Sequence, residues 1–307
     1  SCTQIGEAAL SAIFASLRTA HPIQKSQLIH IIGEIGTNSD IEKMIPFLQD
    51  KNPQVREESA LAMGKLNAQQ AVPELITMLR DADMSVRISA ATALGNIGSQ
   101  DAVSALKSAS EDQDADMKKA AAIAFGKIGD ERAINALRQM LTHEDRTVRK
   151  EAVVALGEIQ SADAVYPLIE CFADKDVNIR RATEEALINI GEPAVKELIA
   201  ALNNENTFVR SSARKTIIRI GTPAVPELVR ILNRPDPLLR ESAVSALTTI
   251  ADPRALDPLL NAFRDNEVTV RRALTASIHV FSDQRVVERL IQMLTDNDPI
   301  VRSNAAS

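Results

Sequence analysis

The sequence predicts an all-α chain, an α-α superhelix (solenoid) of about ten two-helix repeats. Three observations predict it. First, a hydrophobic-basic pair recurs as Val55-Arg56, Val86-Arg87, Met117-Lys118, Val148-Arg149, Ile179-Arg180, Val209-Arg210, Leu239-Arg240, Val270-Arg271 and Val301-Arg302, with Gln24-Lys25 as a weakened first copy. Its basic residues lie 31 apart, except for steps of 30 from Arg180 to Arg210 and from Arg210 to Arg240. Second, apolar positions after each pair follow the helical template: Met117, Ala121, Ala124, Phe125 and Ile128 fall at i, i+4, i+7, i+8 and i+11. Third, helix stop and start signals recur in register with the pair.

Residues 98–129 illustrate one repeat. Gly98 closes the preceding helix, and Ala102, Val103, Leu106 and Lys107 begin helix A. A polar break at Glu111-Asp112-Gln113-Asp114 separates it from helix B, which runs from Met117 to Gly129. Three residues before each hydrophobic-basic pair stands Asn52, Asp83, Asp114, Asp145, Asp176, Asn206, Asp236, Glu267 or Asp298, an N-cap position whose side-chain oxygen can take an orphan backbone N–H. Pro22, Pro53, Pro237 and Pro299 fit the first turn, where a missing N–H costs nothing. Gly36, Gly98, Gly129, Gly191 and Gly221, with Asn67 in the same register, suit left-handed C-caps.

A second glycine series, Gly33, Gly64, Gly95, Gly126 and Gly157, lies inside helix B. Interior glycine costs about 0.5–1 kcal/mol relative to alanine, so close backbone approach of a neighbouring helix is expected there. Ile188, Ile218, Thr248 and His279 replace the glycines farther on, which predicts a change of packing and curvature around residues 180–250 within one array spanning 1–307. The last repeat stops at Ser307 partway through its second helix and the first shows no polar capping helix, so the chain is expected to be a segment of a longer protein.

The stretch Leu79–Gly98 follows Leu-x-Asp-x-Asp-x-x-Val-Arg-x-x-Ala-x-x-Ala-Leu-Gly-x-Ile-Gly nearly verbatim and resembles the HEAT-like repeats named from phycobilisome (bilin) lyases. The resemblance covers essentially the whole chain. It implies the solenoid fold, a concave wall lined by helix B, and a ladder between repeats in which helix-B arginines meet turn aspartates. Carried over, Arg56, Arg87, Arg149 and Arg180 would pair with Asp50, Asp81, Asp112 and Asp174. His143, Asn204 and Arg234 interrupt the acidic series, so the ladder should weaken around the sixth to eighth repeats.

Composition narrows the chemistry. With no Trp, one Tyr and seven Phe, the core must be built of Ala, Leu, Ile and Val. A net charge of −6 disfavours nucleic-acid binding by bulk electrostatics. Cys2 and Cys171 are too few for a disulfide framework, no apolar run approaches the ~20 residues of a membrane span, and no charged leader precedes the repeats, so a cytoplasmic location is expected. No metal spacing, cofactor motif or catalytic constellation is legible: His21, His30, His143 and His279 are scattered, and Cys171 reads as a small buried hydrophobe. Glu57-Glu58, Glu184-Glu185 and Glu151 read as solvated surface charge, because adjacent helical residues point about 100° apart.

What remains is the helix-B wall. Counting the hydrophobe of each pair as first, the third and seventh positions should face out along it. Lys119, Lys150 and Arg181 form a basic row there, beside the aliphatics Leu61, Ile123 and Val154. An apolar strip with a basic rim suits a protein or peptide partner carrying acidic residues. The leading expectation is therefore a non-catalytic protein-interaction scaffold. A bilin lyase or its chaperone-like subunit is the alternative implied by the resemblance. A further alternative uses the basic cluster Arg210, Arg214, Lys215, Arg219, Arg230 and Arg234 to bind nucleic acid or another anionic surface, without aromatics for base stacking.

Overall fold

A computed structural model describes the backbone of residues 2–307 and the side chains of residues 9–307. Among the described residues the chain forms 20 α-helices and no strand. It divides into two compact units, Ser1–Ala164 and Val165–Ser307. The side chain of Cys2 lies outside the described residues.

Each repeat is built as the capping chemistry dictates. In the repeat at residues 98–129, Gly98 sits at φ 70°, a 3-10 turn Gln100–Ala102 leads into the seven-residue helix Val103–Ala109, and helix B runs Ala115–Ile128. Helix A is thus shorter than a plain pair of helices implies. Its entry is a 3-10 turn in most repeats, the tighter geometry that a short connection accommodates. Eight of the nine predicted N-caps accept a backbone N–H of the following turn: Asn52 from Gln54, Asp83 from Ser85, and likewise Asp114, Asp145, Asp176, Asn206, Asp236 and Asp298. Glu267 makes no such bond, its side chain being one methylene longer than the Asp that fits the turn. The four prolines all occupy the first helical turn.

The C-caps divide into three groups. Gly98, Gly129 and Asn67 adopt the left-handed conformation as expected. Gly191 and Gly221 have positive φ but ψ near −130°, a region open to glycine alone, which lets the chain turn directly into the next element. Gly36 departs from the expectation: it is extended, at φ −70° and ψ 167°. Its N–H still closes on Ile32 O at 2.7 Å, so the helix ends without a left-handed residue.

In the first unit the interior glycines do what their position predicts. A Cβ placed on Gly64 or Gly95 would lie 2.8 Å from the backbone of Ala93 or Ala124, and one on Gly33 or Gly126 about as close to Ala62 or Ala155. Each of these four glycines therefore seats an alanine of the next helix B, bringing those B helices into near-backbone contact. Met63, Leu75, Leu94 and Phe125 fill the core between these helices and helix A, each fully buried and each worth about 1.5–3 kcal/mol. In the second unit Phe172, Leu198, Leu228, Leu247 and Phe263 play that part. There the glycine register carries Thr248, whose buried hydroxyl is satisfied by donating to Val244 O at 2.9 Å.

Candidate functional site

The recurring basic residue is a structural strut. Nη1 of each helix-B arginine donates to carbonyls six and five residues back: Arg56 to Asp50 and Lys51, Arg87 to Asp81 and Ala82, Arg149 to His143 and Glu144, Arg180 to Asp174 and Lys175, and so on to Arg302. The other edge reaches the turn aspartate 25 residues ahead. Arg56 grips Asp81 at 2.8 and 2.7 Å, Arg240 grips Asp265 at 2.7 and 2.8 Å, and Arg271 grips Asp296 at 2.8 and 3.3 Å. Lys25 meets Asp50 at 3.1 Å, and Arg87 meets Asp112 at 3.5 Å. The same aspartates also accept the N–H of the N-cap residue two positions on, so each carboxylate ties its own turn to the preceding repeat. This corrects the implied pairing: Arg56 takes only the backbone carbonyl of Asp50 and closes on the carboxylate of Asp81, and Arg87 only the carbonyl of Asp81 with the carboxylate of Asp112, because the guanidinium's outer edge faces the next repeat's turn.

Where the acidic series lapses, the geometry changes. Lys118 faces His143, Nζ to Nε2 at 3.3 Å. Arg180, with Asn204 in the following turn, lies over the Phe208 ring at 5.2 Å from its centroid. Arg210, with Arg234 in the following turn, keeps its two carbonyl bonds to Asn204 and Glu205 and otherwise reaches only Thr207 Oγ1 at 3.2 Å.

The carboxylates correct the surface-charge reading at one place. Glu184 is buried, its carboxylate held by Lys215 Nζ at 2.9 Å and Arg219 Nη1 at 3.0 Å. Arg219 also takes Glu185 at 2.7 and 3.1 Å, so the two adjacent carboxylates converge after all. The guanidinium fork is wide enough to span the angle between them. The Arg219 bond holds the Glu185 carboxyl below its usual range, and the paired carboxylates push the Arg219 pKa up. The sequence carried a partial signal, Glu185 and Lys215 at the same helix-B position of successive repeats, 30 residues apart. Elsewhere Glu58 meets His30 Nδ1 at 2.7 Å, and Glu57 accepts from Ser85 Oγ at 2.9 Å.

Of the expected wall contacts, Ile123 is 39% exposed and Lys150 is exposed, with Glu151 3.9 Å away. Val154 and Leu61 are half-buried against their neighbours. Lys119 is half-buried and bound to Asp116 at 2.5 Å, which raises its pKa. Arg181 belongs to the second unit and is exposed. In the basic cluster, Lys215 and Arg219 are taken up by Glu184 and Glu185, and Arg230 by Glu227 at 2.7 Å. Arg210 and Arg214 line a groove of about 740 Å³ between the first turns of helices Thr207–Ile220 and Pro237–Ile250, and Arg234 is exposed. Among the described residues no group of three or more His, Cys, Asp or Glu is placed to hold a metal ion. No helix among them is long and apolar enough to cross a membrane.

A family profile described as HEAT repeats matches residues 41–124, 105–188 and 195–279. The chain belongs to the HEAT-repeat family. No curated protein sequence matches this HEAT-repeat chain. Among solved structures, the karyopherin Kap121p bound to the extreme C-terminus of the protein phosphatase Cdc14p shares its fold, with a TM-score of 0.56 at 13% identity over 98% of this chain and 41% of the karyopherin. An engineered protein aligns at 20% identity over 97% of each chain with a TM-score of 0.48. The complex of CpcE and CpcF of phycocyanin lyase from Nostoc aligns at 24% identity over 72% of this chain and 93% of that one, with a TM-score of 0.39.

Proposed function

We propose that this HEAT-repeat chain is a non-catalytic protein-interaction scaffold that captures a partner on the concave helix-B face. The observation that carries the reading is the division of labour among its cations. In the first unit the recurring arginines are taken up by the ladder and by their own turns, whereas the third and seventh helix-B positions turn Lys150 and Ile123 outward. Lys119, Val154 and Leu61 complete the surface in that unit, and Arg181 holds the equivalent position in the second. An aliphatic strip beside ammonium groups suits a partner segment carrying carboxylates, and a wall of packed helices loses little conformational entropy on docking.

The pairing of Lys215, Arg219 and Arg230 with internal carboxylates weakens the polyanion alternative, because these charges are already neutralised locally. The bilin-lyase alternative rests on resemblance alone. The test is to identify a partner by crosslinking in native extract and reconstitute the complex from purified proteins. Lys119→Glu with Lys150→Glu and Arg181→Glu should abolish it while the far-UV circular dichroism stays unchanged; undiminished binding by the triple variant removes the helix-B face from consideration.

A further inference from the structure

The groove between helices Thr207–Ile220 and Pro237–Ile250 is where the ladder leaves an arginine edge without a carboxylate. In three other repeats a helix-B arginine closes bidentately on an aspartate of the next turn. At Arg210 that turn supplies Arg234 instead, and no intramolecular carboxylate pairs with its guanidinium. Arg214, one helical turn on, lines the same groove with no hydrogen bond or ion pair. The opposite wall carries Asp236 and Glu241; Asp236 is occupied by the Leu238 N–H and by Asn203 Nδ2 at 2.9 Å. In the groove lining Leu238 is 65% exposed, at a helix-B position where earlier repeats carry Gln54, Ser85, Asp116, Thr147 and Asn178.

We infer that this groove binds an extended acidic peptide segment of a partner protein, with a side-chain carboxylate on Arg210 and Arg214 and an adjacent apolar side chain against Leu238. The ladder itself shows the chemistry: the Nε/Nη2 edge of these arginines is arranged for a planar carboxylate. Charge separation across the groove favours a peptide over a polyphosphate. A peptide offers backbone N–H groups to Glu241 while its carboxylate meets the arginines, whereas a nucleic-acid backbone or an anionic membrane would bring its phosphates against Glu205, Asp236 and Glu241 as well. The inference rests on the interaction-scaffold reading but places a specific contact on a different surface.

The test uses the full chain and an unconstrained 12-residue phage-displayed peptide library, followed by fluorescence anisotropy on one synthetic peptide from the enriched set. Enrichment of Asp or Glu next to a Leu, Ile or Phe is expected. Arg214→Gln and Leu238→Ser should each weaken the synthetic peptide about tenfold, as should Asp→Asn or Glu→Gln within it, the scale of one charge-assisted or buried apolar contact. Neither protein side chain makes an internal hydrogen bond or ion pair, so both variants should keep the native circular dichroism spectrum; Arg210, which braces its own turn, is left intact. Enrichment without acidic residues, no enrichment, or affinity indifferent to Arg214→Gln overturns the assignment, as does Arg214-dependent binding of a duplex DNA or phosphatidylserine-vesicle probe in place of peptide. Loss of the peptide on Lys119→Glu with Lys150→Glu, but not on Arg214→Gln, would move the contact to the helix-B face and leave the scaffold reading standing.

Discussion

Replacing Gly95 by alanine sets two physical effects against each other. By helix propensity alone the change stabilises an interior position by about 0.5–1 kcal/mol. The structure opposes this: the added Cβ would stand 2.8 Å from Ala124 Cα and 3.1 Å from Ala124 Cβ. Carbon atoms prefer about 3.5–4.0 Å, so helices Met84–Ile97 and Ala115–Ile128 must separate by several tenths of an ångström along a face where each is anchored to a further neighbour. Overpacking of this kind costs about 1–3 kcal/mol, and backbone atoms cannot swing aside as a side-chain end can. The net expectation is a loss of about 1–2 kcal/mol for Gly95→Ala. Gly33→Ala should lose less, because its contact of 3.0 Å is with the Ala62 methyl and that of 3.1 Å with the backbone. A repeat array can lose structure locally, so the readout is amide hydrogen exchange across Met84–Ile97 and Ala115–Ile128, with urea unfolding by circular dichroism alongside. Slower exchange and a raised urea midpoint in Gly95→Ala would mean that propensity decides, and would falsify the close-approach argument.

The ladder, the caps and the pH dependence yield further expectations. A double-mutant cycle of Arg240→Gln and Asp265→Asn should show coupling of about 1–3 kcal/mol, since both partners are mostly shielded from water and bonded bidentately; additive losses in urea unfolding would remove the ladder as a link between repeats. Glu267→Asp should stabilise helix Val268–Ser277 by about 0.5–1 kcal/mol by supplying the missing cap, with a lowered midpoint as the contrary result. Burial pushes the Asp50, Asp81 and Asp265 carboxyls up, but the Lys25, Arg56 and Arg240 cations and the N–H groups of Asn52, Asp83 and Glu267 outweigh it and hold all three below the usual carboxylate range. The Arg271 bond leads a similar downward shift at Asp296. A carboxyl lowered on folding contributes stability that is complete above its unfolded pKa of about 3.9 and vanishes as pH falls through the folded value. Urea midpoints should therefore be flat from pH 7 to about pH 5 and fall steeply below about pH 4, a fall that Asp81→Asn with Asp265→Asn makes shallower.

The repeat unit was legible because its determinants are local. Asp83 caps the turn it precedes, Pro53 sits where no N–H is required, and Gly98 takes the conformation its neighbours demand, so period and chemistry agree within a few residues. Legibility fell off where a decision depends on a side chain from another repeat. Glu184 and Glu185 looked like two divergent surface charges on one helix, and only Arg219, 34 or 35 residues away, draws the buried Glu184 and the exposed Glu185 onto one guanidinium. Gly36 has the register of a left-handed cap, yet its turn closes on Ile32 O in an extended conformation. Lys119 belongs to the expected basic row by helical spacing, but Asp116 one turn back on the same helix draws it in. Wheel positions place a side chain on a face; they do not say which neighbour will claim its charge.

That distinction bears on where binding can arise in a molecule made of copies. A ladder of identical struts satisfies its own polar groups and has none left for a partner, so the consensus positions of a repeat are poor places to look for function. Departures from consensus release groups that the fold has already positioned. At Asn204 the strut Arg180 exchanges a carboxylate for the Phe208 ring, and at Arg234 the strut Arg210 is left facing a groove beside Arg214. Lys215 and Arg219 show the contrary outcome, in which a departure is answered internally by Glu184. Both outcomes occur within the second unit, in repeats whose basic residues are spaced 30 rather than 31 apart. A departure therefore yields a contact surface only when no compensating partner lies on the neighbouring repeat, and in these repeats Arg210 and Arg214 meet that condition.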